Sequence, residues 1–167
     1  GIDGLCSSQF LISLMTIIFC GYFFNNLFSN DDLSFLVAIS IIVFFFFLFN
    51  IFNFHKVFLG DAGSMFLGFF ISCLLILFSQ SDYRIIPPFL IIWCVTLPVF
   101  DTISVVTRRI LNKSNPFQPD REHIHHILKS IGFNDKQTLL ILLIVSILLN
   151  CFGFTIFHLG GNIISII

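Results

Sequence analysis

The sequence predicts an all-α protein, a polytopic bundle of transmembrane helices, on three observations. Of its 167 residues, 57% are apolar and 10% are charged, whereas a soluble domain has roughly a quarter of its residues charged. Its 25 phenylalanines and mean hydropathy of +1.02 would leave large apolar patches in water if a domain of this size were soluble. The apolar residues also fall into five continuous runs, each close to the roughly 20 residues that cross a bilayer as a helix. Continuity rather than alternation argues against barrel strands, and a helix satisfies its own backbone hydrogen bonds in lipid.

The runs are Phe10 to Phe28, Leu33 to Phe52, Ala62 to Phe78, Ile85 to Val106 and Thr138 to His158, and a sixth is expected to start near Asn162. Polar breaks separate them at Asn30 to Asp32, His55 to Ser64, Gln80 to Arg84, Arg108 to Gln137 and a Gly160-Gly161 turn. Pro98 predicts a kink in the fourth run. Residues 1–167 read as one membrane domain with a polar loop over 107–137. The chain opens on Gly1-Ile2-Asp3 without an initiator methionine or a basic signal segment, and both ends read as cut.

Alternation of spans puts Asp3, the 55–64 segment and the 107–137 loop on one side. Lys56, Arg108, Arg109, Lys113, Arg121, Lys129 and Lys136 fall there, and only Arg84 falls opposite. The positive-inside rule makes the first side cytoplasmic. A net charge of −1 with no basic stripe excludes a nucleic-acid partner. Cys6, Cys20, Cys73, Cys94 and Cys151 are scattered singly, so neither zinc nor dithiol chemistry is indicated, and they read as small buried hydrophobes.

Four features on the cytoplasmic side can carry chemistry. In Lys56-Val57-Phe58-Leu59-Gly60-Asp61-Ala62-Gly63-Ser64 the glycines let backbone approach a ligand, and a helix opening here would aim N–H groups at an anion. Asp61 there suits a magnesium ion bridging phosphates, or simply a helix N-cap. In Ser114-Asn115-Pro116-Phe117-Gln118-Pro119-Asp120-Arg121-Glu122-His123-Ile124-His125-His126 the prolines stiffen the lead-in to a short helix, capped by Asp120 and ending near Gly132. In that helix His123 and His126 share a face and Glu122 pairs with His126. Such histidines bind metals, orient phosphates or move protons; a solvated surface helix is the plain alternative. Asp3, between glycines, is a turn or cap residue or part of a site. Asp101, inside the fourth run, is either functional or a partner of Arg108 or Arg109.

Val57-Phe58-Leu59-Gly60-Asp61-Ala62-Gly63-Ser64, then Leu97-Pro98 with Asp101, then Pro116-Phe117, Pro119-Asp120-Arg121 and His123-Ile124-His125-His126 together resemble the polyprenyl-phosphate N-acetylhexosamine-1-phosphate transferases, of glycosyltransferase family 4 type. The likeness is strongest to the bacterial branch that uses undecaprenyl phosphate and N-acetylglucosamine to start O-antigen and related polysaccharides. Gly1-Ile2-Asp3-Gly4-Leu5 is similar to the latter half of that family's double Asp-Gly motif, and its earlier paired aspartates would lie upstream.

The resemblance implies an enzyme of the bacterial inner membrane with its active site on the cytoplasmic face. It would transfer N-acetylhexosamine 1-phosphate from a UDP-N-acetylhexosamine to undecaprenyl phosphate and release UMP. It implies Mg2+, with Mn2+ as a substitute, held by Asp61. Asp3, Asp61, His123, His125 and His126 would be catalytic, and Phe58, Gly60, Ser64 and Arg121 would bind substrate. A polyprenyl tail could lie in a groove lined by phenylalanines such as Phe44 to Phe47. A homodimer is compatible with it, and these 167 residues alone are expected to be inactive. The competing reading is a polytopic transporter, which predicts polar groups near mid-membrane rather than ionisable residues at one face.

Overall fold

In the computed structural model, residues 2–23, 28–52, 57–80, 86–113, 115 and 123–164 are described, with side chains through residue 160. Among these the chain is helical and has no strand. The helices are α1 (Leu5–Phe23), α2 (Asn30–Ile51), α3 (Gly60–Ser79), α4 (Pro88–Cys94), α5 (Thr96–Leu111), α6 (Ile124–Ile131) and α7 (Asp135–Ile164). Helices α1, α2, α3 and α7 are each long and apolar enough to span a bilayer, and α4 with α5, bent by 72° at the break between them, passes the same test only when the two are taken together. The expected all-α bundle is therefore present, with four spans formed by single helices and the fourth apolar run divided between α4 and α5.

Helix α1 is the centre and packs against α2, α3, α4 and α7. Its buried residues include Ser7, Ser8, Ser13, Cys20 and Gly21, small side chains that let neighbouring backbones come close, which lipid-embedded helices need because burial from lipid gains no hydrophobic energy. Phe10, Leu14 and Ile17 supply the bulk on the same helix. They pack in one core with Leu67, Ile71, Leu74, Leu75 and Phe78 of α3, whose spacing follows the helical period. Helix α7 docks on α1 through paired polar groups. Ser146 Oγ donates to Gln9 Oε1 at 2.6 Å, and Thr16 Oγ1 donates to Asn150 Oδ1 at 3.1 Å. Each pair satisfies groups that lipid could not. On its other side Gly153 leaves room for Trp93, since a Cβ there would lie 2.2 Å from the indole.

Three expectations are corrected. The kink ascribed to Pro98 is a full break at Val95 (φ −119°, ψ 19°), because a proline removes the N–H that would bond the carbonyl four residues back and its ring crowds that same carbonyl. That carbonyl belongs to Cys94, and Ser13 Oγ donates to it at 2.7 Å. Thr96 Oγ1 bonds the carbonyls of Ile92 and Trp93 at 2.7 and 3.0 Å, which closes the rest of the frayed end. The turn expected at Gly160-Gly161 is not formed either. Helix α7 runs through both glycines to Ile164, so among the described residues no turn sets Asn162 apart as the start of a separate helix; a helical glycine costs only about 1 kcal/mol, less than exposing free backbone groups to lipid. The third correction concerns α6, which starts at Ile124 rather than after Asp120. Its N-cap His123 makes no side-chain capping bond, and the cap comes from another helix.

Candidate active site

The site is assembled at the end of the bundle where α1 and α3 begin and α2 ends. Ahead of α1, Asp3 and Gly4 form a turn in which Gly4 has φ +78°, a left-handed conformation natural to glycine. Asn50, one residue from the end of α2 and 5% exposed, holds this turn. Its Oδ1 accepts the Gly4 N–H, and its Nδ2 donates to the Val57 carbonyl at 2.6 Å. One amide thus ties the Asp3-Gly4 turn to the segment that leads into Asp61.

Helix α3 opens on Gly60, whose φ of +66° turns the chain into the helix. Asp61 lies in the first turn, exposed, and the cap position is Leu59, which makes no side-chain capping bond. The N-cap alternative for Asp61 is thereby ruled out, and its carboxylate stands beside the positive end of the helix dipole. Ser64 Oγ donates to the Asp61 carbonyl at 2.9 Å. Phe58, 70% exposed, precedes them on the same surface.

The histidines gather on the short helix α6. Asp101 of α5 reaches it with both oxygens: Oδ1 accepts the Ile124 N–H at 2.8 Å, and Oδ2 lies 3.0 Å from His123 Nδ1. Asp101 is thus bonded to α6, a partnership outside the two arginines considered for it. Gly132 closes α6 in the left-handed conformation (φ +113°), with the Phe133 N–H bonded to the Leu128 carbonyl, the usual glycine C-terminus. The rings of His123 and His125 stack with centroids 5.8 Å apart, and those of His125 and His126 are 4.2 Å apart. His125 therefore lies between the other two rings, in contact with both. Its pKa is lowered, first by burial and then by the charges of His126 and His123, and its Nε2 is buried without a hydrogen-bond partner among the described residues.

A cavity of about 340 Å³ lies between α1, α3, α5 and the start of α6, lined by Asp101 but by neither Asp61 nor the histidines. Ile2, Gln9, Gly68, Pro98, Asp101 and Ile124 are among its lining residues, so it reaches from the start of α1 to the cap of α6. Beside it an apolar groove of about 1020 Å³ runs between α1, α2 and α7, with Phe19, Phe44, Phe47 and Phe154 in its wall. Phe44 and Phe47, the ends of the expected aromatic run, are in it. Arg121, with Asp120 and Glu122, lies outside the described residues.

Among the described residues no three or more His, Cys, Asp or Glu are grouped so as to hold a metal ion. Sequence reasoning missed Asn50, a single amide at the end of a phenylalanine-rich run, and the bond between Asp101 and His123. The rarity of a carboxylate inside a span singles out Asp101 but not its partner, and the same rarity of a carboxamide could have flagged Asn50.

These features define a multi-pass membrane protein whose chemical side chains collect at one end of its helices. Residues 1–79 match the family model described as Glycosyl transferase family 4. The chain is 34% identical over 99 residues to the undecaprenyl-phosphate alpha-N-acetylglucosaminyl 1-phosphate transferase of Escherichia coli K12, covering 59% of this chain and 27% of that protein. The proteins of the same name from Salmonella typhi and Haemophilus influenzae are 35% identical over 101 residues and 36% over 92. These matches cover 60% and 55% of this chain, and 28% and 26% of those proteins. The chain thus spans about a quarter of the length of the curated relatives it matches. No solved structure matches it. The resemblance read from the motifs is borne out by these relatives.

Proposed function

We propose that the chain forms part of the catalytic end of a membrane transferase. It would move N-acetylglucosamine 1-phosphate from UDP-N-acetylglucosamine to undecaprenyl phosphate, at the cytoplasmic face of a bacterial inner membrane, to start a surface polysaccharide. The observation that carries the proposal is the Asn50 bridge, which fastens the Asp3-Gly4 turn to the Asp61 segment. The undecaprenyl-phosphate relatives and the phenylalanine-walled groove support a polyprenyl acceptor whose tail lies along the bundle.

In this reaction a phosphate oxygen of the lipid bonds to the β-phosphorus of the sugar nucleotide. The bond from that phosphorus to the bridging oxygen breaks, and UMP leaves with that oxygen. Such transfers are catalysed mainly by positioning and charge neutralisation. Magnesium, or manganese in its place, held by Asp61 with substrate phosphates, would spread the negative charge of the diphosphate. Gly60 and Ser64 bring backbone and hydroxyl to the same helix end, Phe58 offers a face to the nucleotide, and Asp3 adds a second carboxylate. His123, His125 and His126, with Arg121, are suited to donate to phosphate oxygens.

One feature favours a transporter, the broken α4–α5 span, since discontinuous helices often frame transport sites. Against it, the polar side chains between α1 and α7 are uncharged and bonded as two pairs, Thr16 with Asn150 and Ser146 with Gln9, and Asp101 is bonded to the histidine helix. The test follows UMP release from UDP-N-acetylglucosamine and undecaprenyl phosphate with Mg2+, by the full-length protein in membranes. Asp61→Asn is expected to abolish release, and His125→Ala to lower it by at least about tenfold. Folded protein that releases no UMP from any UDP-N-acetylhexosamine would move the assignment to transport.

A further inference from the structure

The histidine helix has only eight residues, and His123 at its N-cap makes no capping bond of its own. The bond comes from Asp101, 23 residues earlier and on a different helix. Its side chain is 19% exposed, and the same carboxylate meets His123 Nδ1 at 3.0 Å. An ionised carboxylate only accepts hydrogen bonds, so the ring nitrogen facing it must be the one that carries hydrogen. In a neutral imidazole the other nitrogen, Nε2, then has the lone pair.

We propose that Asp101 is a positioning residue: with one oxygen it fixes the start of α6, and with the other it fixes the tautomer of His123, so that Nε2 is the nitrogen presented to the reacting phosphates. The proposal rests on the transferase reading of this end of the bundle. Nε2 with a lone pair takes a proton, and the protonated ring then offers an N–H to a phosphate oxygen while Asp101 stabilises its charge. The placement of Asp101 is itself secured, because α5 begins at the break that Ser13 closes on the Cys94 carbonyl. A line of hydrogen bonds and helix backbone therefore runs from α1 through α5 to the histidines.

Asp101→Asn separates the two duties. The amide oxygen can still accept the Ile124 N–H, but the amide NH2 turned to His123 Nδ1 requires that nitrogen to accept, which moves the ring proton to Nε2. In the full-length protein in membranes we expect this variant to keep its thermal stability and its KM for UDP-N-acetylglucosamine while kcat falls by about 10²-fold or more. His123→Ala added to it should lower kcat no further. In ¹⁵N-histidine spectra the His123 signal should be that of an Nδ1–H ring in the unmodified protein and of an Nε2–H ring in the variant. Unchanged kcat in folded Asp101→Asn, additive losses, or an Nε2–H ring in the unmodified protein would overturn the assignment. If the unmodified protein releases no UMP, the transferase reading fails, and the spectra alone decide the role of Asp101. They also decide it if the variant fails to fold.

Discussion

Ser13 on α1 and Cys94 at the end of α4 lie 81 residues apart in sequence and are joined by a 2.7 Å hydrogen bond from hydroxyl to carbonyl. The carbonyl is available because residue 98, whose N–H would otherwise bond it, is a proline. Ser13→Ala should therefore lower stability in detergent by about 0.5–2 kcal/mol, the range for hydrogen bonds between membrane helices. In a Pro98→Ala background, where a backbone N–H is restored, the same change should cost less. Equal losses in both backgrounds, read by thermal unfolding, would show that the hydroxyl is not replacing the missing helix bond.

Asn50 satisfies two backbone groups at once, the Gly4 N–H and the Val57 carbonyl. Asn50→Leu fills similar volume but strands both, at about 1–3 kcal/mol for each buried unpaired group. UMP release should fall along with thermal stability, because the turn holding Asp3 and the lead-in to Asp61 lose their common anchor. A variant with full activity would mean that the two segments keep their places without it.

Gly60 distinguishes backbone strain from crowding. A Cβ at this position meets nothing within 4 Å, yet φ is +66°, so the cost of a side chain is conformational. Gly60→Asn should be milder than Gly60→Ala, and Gly60→Val the worst, since asparagine tolerates the left-handed region and β-branched residues do not. Alanine is expected to cost about 1–2 kcal/mol, measured by thermal unfolding. Equal losses from asparagine and valine would refute the conformational origin.

The lowered pKa of His125 has a stability consequence of fixed sign. Above the ordinary histidine value of 6.5 the ring is neutral in the folded and unfolded states alike. As pH falls below it the unfolded chain takes up the proton first, so the native packing of α6 is weakened progressively down to the folded pKa. Amide exchange in α6 should therefore be faster at mildly acidic pH than expected from intrinsic rates, and His125→Gln should remove the difference. Protection that does not change with pH would argue that His125 is not buried.

The spans were legible because continuous apolar runs of helix-spanning length have few other uses. Gly132 ended its helix as expected, and the motif around Asp61 came out at a helix start. The Val95 break was misplaced because a proline acts on the carbonyl four residues earlier, so the signal and the hinge are separated in sequence. The α6 start was misplaced for a related reason. Asp120 is the local capping candidate, whereas Asp101 caps from a distance that no local pattern encodes. Asn50 was overlooked because its partners, Gly4 and Val57, are backbone atoms without any sequence signature.

Helix α7 has 30 residues, about 45 Å at 1.5 Å per residue, whereas a typical hydrocarbon layer is about 30 Å thick. A rod of that length must lean or protrude. It touches α1, α4, α5 and α6, and it begins beside the histidine helix, where Lys129 and Asp135 are 2.7 Å apart. Because α6 packs on α7, a change in lipid chain length that alters the lean of α7 is expected to be felt at the helix that carries the histidines.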